Sequence, residues 1–256
     1  MDVVGFFETE IPAFLLALQF LTRLNRTAPY SPGAMRQSPR WYPGVGVVVG
    51  GICALVYMLA YWLFTPVLAV LLAVAAGMVV TGALHEDGFA DACDGLGGQR
   101  PKERVLEIMR DSRIGAYGVL GLLVMVGTKV AALYAMPGTA LPFVLIAAHA
   151  ASRASMLWVM ATSDYVRDQG AGSGVAGGID RQAVSLALIT TGLTLVPLLF
   201  VVPWSAIFTA VLGLCLGQWL MRRSFEPRLG GYTGDCLGAV QQCSEVGFYL
   251  GLLLAL

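Results

Sequence analysis

The chain reads as an all-α, polytopic integral membrane bundle of about six to seven transmembrane helices, with short interfacial or amphipathic helices beside them. Three observations predict this. Hydrophobic residues make up 57% of the 256 positions and charged residues only 12%, against roughly 25% charge in a soluble domain. The apolar residues come in runs close to the ~20 needed to cross ~30 Å of hydrocarbon. Prolines or short polar stretches separate the runs, and the basic residues gather in alternate connections.

In chain order, residues 12–22 are apolar but too few to span, and predict an interfacial or re-entrant helix. A stretch with Pro29, Pro32 and Pro39 follows, carrying Arg23, Arg26, Arg36 and Arg40. Arg40-Trp41-Tyr42-Pro43 sets basic and aromatic anchors at an interface. A first span is expected over residues 44–64, and Pro66 separates it from a second over 67–84. Residues 101–110 predict a short amphipathic helix with Pro at its start. Further spans are expected over 116–135, 141–161, 183–202 and 204–220, the last two divided only by Pro203. A glycine-rich loop covers 162–182, and a last helix with a polar first half covers 237–256. Residues 1–256 form a single membrane-embedded domain in this reading, with 84–115 and 221–237 as functional loops.

Orientation follows from the basic residues. Fourteen of the sixteen Lys and Arg lie in 1–43, 84–115, 162–182 and 221–237, and the turns at the opposite ends hold none. The positive-inside rule puts those four segments in the cytoplasm. Asp2, Glu8 and Glu10 stand where a signal peptide would be basic, so no cleaved leader is expected. The five cysteines lack metal-ligand spacing and no disulfides are expected. A formal net charge of zero with no basic face excludes nucleic acid as a partner. The absence of an internal repeat counts against a transporter built from inverted repeats.

Chemistry concentrates after the second span, in His85-Glu86-Asp87-Gly88-Phe89-Ala90-Asp91-Ala92-Cys93-Asp94-Gly95. In a helix Asp87, Asp91 and Asp94 share one face. Carboxylates so placed repel unless a cation sits between them, and Mg²⁺ alongside substrate phosphates suits such oxygen donors. A solvated loop between spans gives no reason for that spacing. Lys129 and Arg153 fall inside expected spans, where each costs roughly 2.5–3.5 kcal/mol on insertion scales. They read either as members of a buried ion pair or as a cationic patch that binds phosphate oxygens. His149, one turn before Arg153, reads as a hydrogen-bonded core histidine. Asp111 and Arg113 supply a carboxylate and a guanidinium near the acidic motif, and Arg suits a bidentate grip on phosphate. Thr233 and Asp235, at a glycine-rich helix start, read either as an N-cap or as part of an anion site.

Three separated motifs carry a family resemblance: His85-x-Asp87-Gly88-x-x-Asp91-x-x-Asp94-Gly95, Leu106-Glu107-Ile108-Met109-Arg110-Asp111-Ser112-Arg113-Ile114-Gly115, and Gly230-Gly231-x-Thr233-Gly234-Asp235-x-Leu237-Gly238-Ala239. Together they resemble the cobalamin synthase (adenosylcobinamide-GDP ribazoletransferase) family. The likeness extends to Arg40-Trp41-Tyr42-Pro43, Lys129, Ser152-Arg153 and Tyr165-x-Arg167-x-x-Gly170. Glu86, where an apolar residue is expected, and Gln242, where a second acid often precedes the one matched by Glu245, depart from the pattern.

The resemblance implies a Mg²⁺-dependent phosphoryl transfer in a bacterial inner membrane, with the active site facing the cytoplasm. The ribose hydroxyl of α-ribazole, or of its 5′-phosphate, attacks the phosphorus attached to the cobinamide, and GMP leaves. On that expectation Asp87, Asp91 and Asp94 hold Mg²⁺, with Asp111 or Asp235 extending its shell. Arg113 and Arg153 neutralise the pyrophosphate, Lys129, Thr233, Asp235 and Arg40 contribute to substrate binding, and His85 or an aspartate takes the proton. The short segments at both ends are free to pack against another copy as a homo-oligomer. Two rivals fit less well. A CDP-alcohol phosphotransferase wants Ala and Arg where Asp91 and Ala92 stand, and a transporter would not concentrate its charges in the loops.

Overall fold

The computed structural model describes residues 3–24, 27–167, 174–175 and 179–256, with side chains from residue 9 onward. Asp2, Arg26 and Gly170, and the side chain of Glu8, lie outside the described residues. Eleven α-helices follow one another among the described residues: α1 (Val3–Leu21), α2 (Pro32–Gln37), α3 (Tyr42–Leu63), α4 (Pro66–Thr81), α5 (Leu84–Leu96), α6 (Lys102–Ile108), α7 (Ala116–Tyr134), α8 (Leu141–Thr162), α9 (Arg181–Leu195), α10 (Trp204–Leu229) and α11 (Gly234–Leu253). Short 3₁₀ turns join α2 to α3 and extend α9. No strand occurs among them, only an isolated bridge between Tyr165 and Tyr232, so the all-α reading holds. Proline opens α2, α3, α4 and α8 within their first two positions, where its missing N–H is one that a helix start leaves unpaired anyway.

Among the described residues, five helices are long and apolar enough to cross a membrane, or six if α4 and α5 form one broken span. Their outer surfaces carry exposed Trp62, Leu123, Phe200 and Trp204, an apolar exterior that water would not tolerate. The bundle centres on α8, 78% buried across its most apolar window, whereas α9 and α10 are 17% and 11% buried and form the periphery. α11 is twenty residues long but too polar to pass as a span by composition. Its Gln241, Gln242, Ser244 and Glu245 are all buried against protein.

Small residues let the backbones approach. On α10, a Cβ at Gly213 would drive into the Gly247 carbonyl and one at Gly217 into the Cys243 carbonyl; α3 uses Gly46 and Gly50 against α8 in the same way. Such contacts supply the packing that stands in for a hydrophobic driving force between helices in lipid. Gly213→Val is therefore expected to abolish the folded protein, read as loss of the monodisperse peak in detergent gel filtration.

The second expected span ends earlier than the sequence reading places it, at Thr81, and the acidic stretch is helical as its spacing predicts, forming α5 within the segment 84–115. Gly82 (φ 68°) and Ala83 (φ 57°) both adopt the left-handed conformation. Their N–H groups return to Val79 and Met78, closing α4 as left-handed helix caps do. The chain then turns by 89° into α5, which lies across the end of the bundle rather than through it. The segment 221–237 is likewise mostly helical, the end of α10 and the start of α11, with Gly230 (φ 72°) capping α10.

Candidate active site

The site forms where α5 crosses the N-terminus of α11. Gly88 faces the Asp235 backbone, and a Cβ there would sit 3.0 Å from the Asp235 Cα. Gly238 packs equally closely on the His85 backbone. These two glycines bring the acidic face of α5 against Asp235, in the first turn of α11. Thr233 caps that helix by accepting from the Cys236 N–H, which is the capping alternative for this residue.

The cation at the site is Arg167. Its segment pairs with the α10–α11 turn, Val166 N–H to the Tyr232 carbonyl (3.0 Å) and Tyr232 N–H to the Asp164 carbonyl (2.8 Å). A Cβ at Gly231 would collide with that Asp164 carbonyl, so glycine is required for the pairing. Arg167 donates to Asp235 Oδ2 at 2.6 Å and to the Met109 carbonyl at 3.3 Å. Its Nε–H is buried without a partner, a donor left available for an anion. No role for Arg167 was assigned from sequence, although it stood in the Tyr165-x-Arg167 motif.

His85, Asp87, Arg167 and Asp235 line a cleft of about 170 Å³. Asp91 is half-buried beside them. Its carboxyl is pushed up to about 7, by burial first and then by the charges of Asp235, Asp87 and Asp94, which Arg167 only partly offsets. No three His, Cys, Asp or Glu side chains converge closely enough to cage a metal ion among the described residues. That arrangement suits a cation that takes one or two carboxylates and completes its shell with substrate phosphates and water, as Mg²⁺ does. The unrelieved repulsion at Asp91 fits such a cation.

Asp94 departs from the expected triad. Its Oδ2 accepts from Gly115 N–H (2.7 Å) and its Oδ1 from Gly118 N–H (2.9 Å). Gly115, the N-cap of α7, has no side chain to offer, so Asp94 caps that helix from the end of α5. A carboxylate is favourable there because unpaired N–H groups and the helix dipole both point at it. Asp94→Ala is expected to destabilise the protein by about 1–2 kcal/mol, measured by unfolding in detergent, with a smaller loss of activity than at Asp91.

Asp111 and Arg113 are not brought to the cleft. They pair with each other at 2.6 Å on the surface, where the Arg113 side chain is 87% exposed. That pairing holds the Asp111 carboxyl down to about 2. Arg40 is also committed elsewhere, to Glu10 at 3.0 Å and Asp180 at 3.6 Å, tying α1 to the start of α9.

Lys129 and Arg153 belong to a buried network rather than to a phosphate patch. Lys129 pairs with Glu245 Oε2 at 3.1 Å, and Glu245 also accepts from Gln241 and Tyr249. Arg153 bonds to the His149 carbonyl at 3.0 Å. The two departures from the family pattern touch each other, with Gln242 donating to Glu86 Oε1 at 3.0 Å. An acid at 242 would instead repel Glu86. These residues surround a small cavity of about 20 Å³, room for a water molecule. Glu245 was passed over as a partner, yet Gln241, Glu245 and Tyr249 recur every fourth residue along α11 and mark a polar stripe. His85 borders both this cavity and the cleft. Its Nε2 is unpartnered, and burial, with the Arg153 charge, keeps its pKa well below the usual imidazole range.

Comparison with known proteins agrees across the chain. The cobalamin-5-phosphate synthase family model matches residues 13–253. The adenosylcobinamide-GDP ribazoletransferase of Leptothrix cholodnii is 42% identical over 95% of this chain and 96% of its own length. Those of Albidiferax ferrireducens and Vibrio cholerae are 36% and 37% identical, again over 95% of this chain and over 98% and 94% of their own lengths. No solved structure matches.

Proposed function

The chain belongs to the cobalamin-5-phosphate synthase family and is a transferase, and on that premise we propose that it joins adenosylcobinamide-GDP to α-ribazole or its 5′-phosphate. The ribose hydroxyl oxygen bonds to the phosphorus carried by the cobinamide, the bond from that phosphorus to the GMP oxygen breaks, and GMP departs. The observation that carries this reading is the meeting of Asp87 and Asp235 with Arg167 in one cleft, with Asp91 close enough to feel the charges of all three. Phosphoryl transfer is mostly positioning and charge neutralisation, and these residues are suited to both.

In this scheme Asp87 and Asp91 would hold Mg²⁺, with substrate phosphates and water completing its shell, while Asp235 anchors Arg167 and Asp94 is left to its capping role. When bound, the ion neutralises phosphate oxygens and stabilises the leaving group. Arg167, anchored through Nη2 on Asp235, offers its free Nε–H to a phosphate oxygen. Neutral His85 accepts the proton of the attacking hydroxyl at Nε2. The cleft faces the cytoplasm of a bacterial inner membrane, a reading supported by the fourteen basic residues gathered in the connections at that end.

The deciding experiment gives purified protein adenosylcobinamide-GDP, α-ribazole and Mg²⁺ and follows GMP release. Silence there, with turnover of a CDP-alcohol, would replace this reading by its rival. Mg²⁺ occupancy has a second readout. Asp91 binds its proton more tightly in the folded chain than its ordinary value of 3.8 allows. The metal-free protein should therefore gain stability as the pH falls from about 7 towards 3.8 and lose it as the pH rises again. Saturating Mg²⁺ should flatten that dependence. The measurement is the melting temperature against pH, relative to Asp91→Asn; a difference that ignores Mg²⁺ would count against the metal.

A further inference from the structure

The cleft has lining residues that the phosphate chemistry does not use. The same cleft is lined by the apolar residues Phe20, Leu21, Met156 and Leu237 and by Tyr42. Leu21 and Tyr42 are each only 1% exposed and Met156 4%, so this part of the lining is apolar and shielded from bulk water. The Phe20 and Tyr42 rings lie nearly parallel, 13° apart. Two buried polar atoms among the residues that line the cleft lack partners, Tyr42 Oη and His85 Nε2.

We propose that this apolar part of the cleft is the seat of the acceptor nucleoside's base, an apolar fused bicycle of the benzimidazole class, while the donor's guanine and corrinoid stay outside it. The inference rests on the transferase reading above and names which substrate fills which part of its cleft.

Size and polarity decide between the candidates. An apolar cavity of about 150 Å³ takes a single benzene ring, so a cleft of about 170 Å³ admits a small fused aromatic and excludes a corrin macrocycle. A guanine presents O6 and N7 acceptors and an N2 donor. Each of these groups weakens binding when it is buried without a partner, and the apolar part of the lining offers too few partners for all of them. A benzimidazole riboside has one free ring nitrogen, which one donor satisfies, and the Tyr42 hydroxyl is available for it. With the base seated there, its ribose leads towards Asp87 and Asp235, where the hydroxyl must meet the phosphorus.

The test uses the full chain in detergent or nanodiscs. α-Ribazole alone, without corrinoid or Mg²⁺, should bind saturably to the unmodified protein by ligand-observed NMR, and excess GMP should not displace it. Absence of saturable binding, or competitive displacement by GMP, overturns the proposal. Met156→Gln should raise KM for α-ribazole by about tenfold or more, as a misfit in an apolar pocket does, with KM for adenosylcobinamide-GDP within about twofold of the unmodified protein's and Met156→Leu restoring the first. A rise in the corrinoid KM instead would assign the pocket to guanine. Failure of the unmodified protein to release GMP would strike the transferase reading, and the binding arm would still decide the subsite.

Discussion

An Asp91→Asn protein is expected to insert and fold but to lose transferase activity by on the order of a hundred- to a thousandfold. Asn keeps the size of the side chain and removes the charge. Asp91 is the carboxyl at which the repulsion of the cluster collects, held up to about 7 by burial and by Asp235, Asp87 and Asp94. The same change should therefore raise the melting temperature of the metal-free protein while activity collapses. This opposition separates a ligand from a structural residue, whose loss would lower both. GMP release and thermal unfolding on one preparation check it, and normal turnover with Mg²⁺ would remove Asp91 from the site.

The second large effect lies away from the chemistry. Lys129→Met should destabilise the bundle by about 3–5 kcal/mol, because it leaves Glu245 buried and charged without its partner. The Lys129 and Glu245 side chains are only 4% and 3% exposed, so water cannot replace the lost ion. Adding Glu245→Gln to Lys129→Met should recover much of the loss, since Gln still accepts from Tyr249 and carries no charge. Equilibrium unfolding of the two single variants and the double variant measures this. Strictly additive effects would show that the pair is not coupled.

The helices and the acidic motif were legible in the sequence because their signals are local. A run of twenty apolar residues has few alternatives to a span, and Asp87 and Asp91 share a helical face by spacing alone. Asp94 has the same spacing but a different role, decided by Gly115, a residue 21 positions away that cannot cap its own helix. The cations were misassigned for a similar reason. Arg113 lies near the motif in sequence, yet its partner is its neighbour Asp111, whereas Arg167 comes from a distant loop held by the Tyr165–Tyr232 bridge. Lys129 and Arg153 were recognised as out of place in lipid, but Glu245 and Glu86, with which they share the small cavity, could be placed there only once α5, α7, α8 and α11 were packed.

By itself the sequence determined that this is an all-helical membrane protein, that its charges gather at one end, and that its motifs are those of a cobalamin synthase. Hydropathy and helical period act over one or two turns, and motif spacing is written along the chain. Only the tertiary structure decided that α5 turns by 89° across the bundle end, that Gly88 and Gly238 admit α11 to within contact of it, and that Arg167 rather than Arg113 or Arg153 faces the carboxylates. Those outcomes depend on which backbones approach closely and which buried charges find partners, and such pairings are made between segments far apart in the chain.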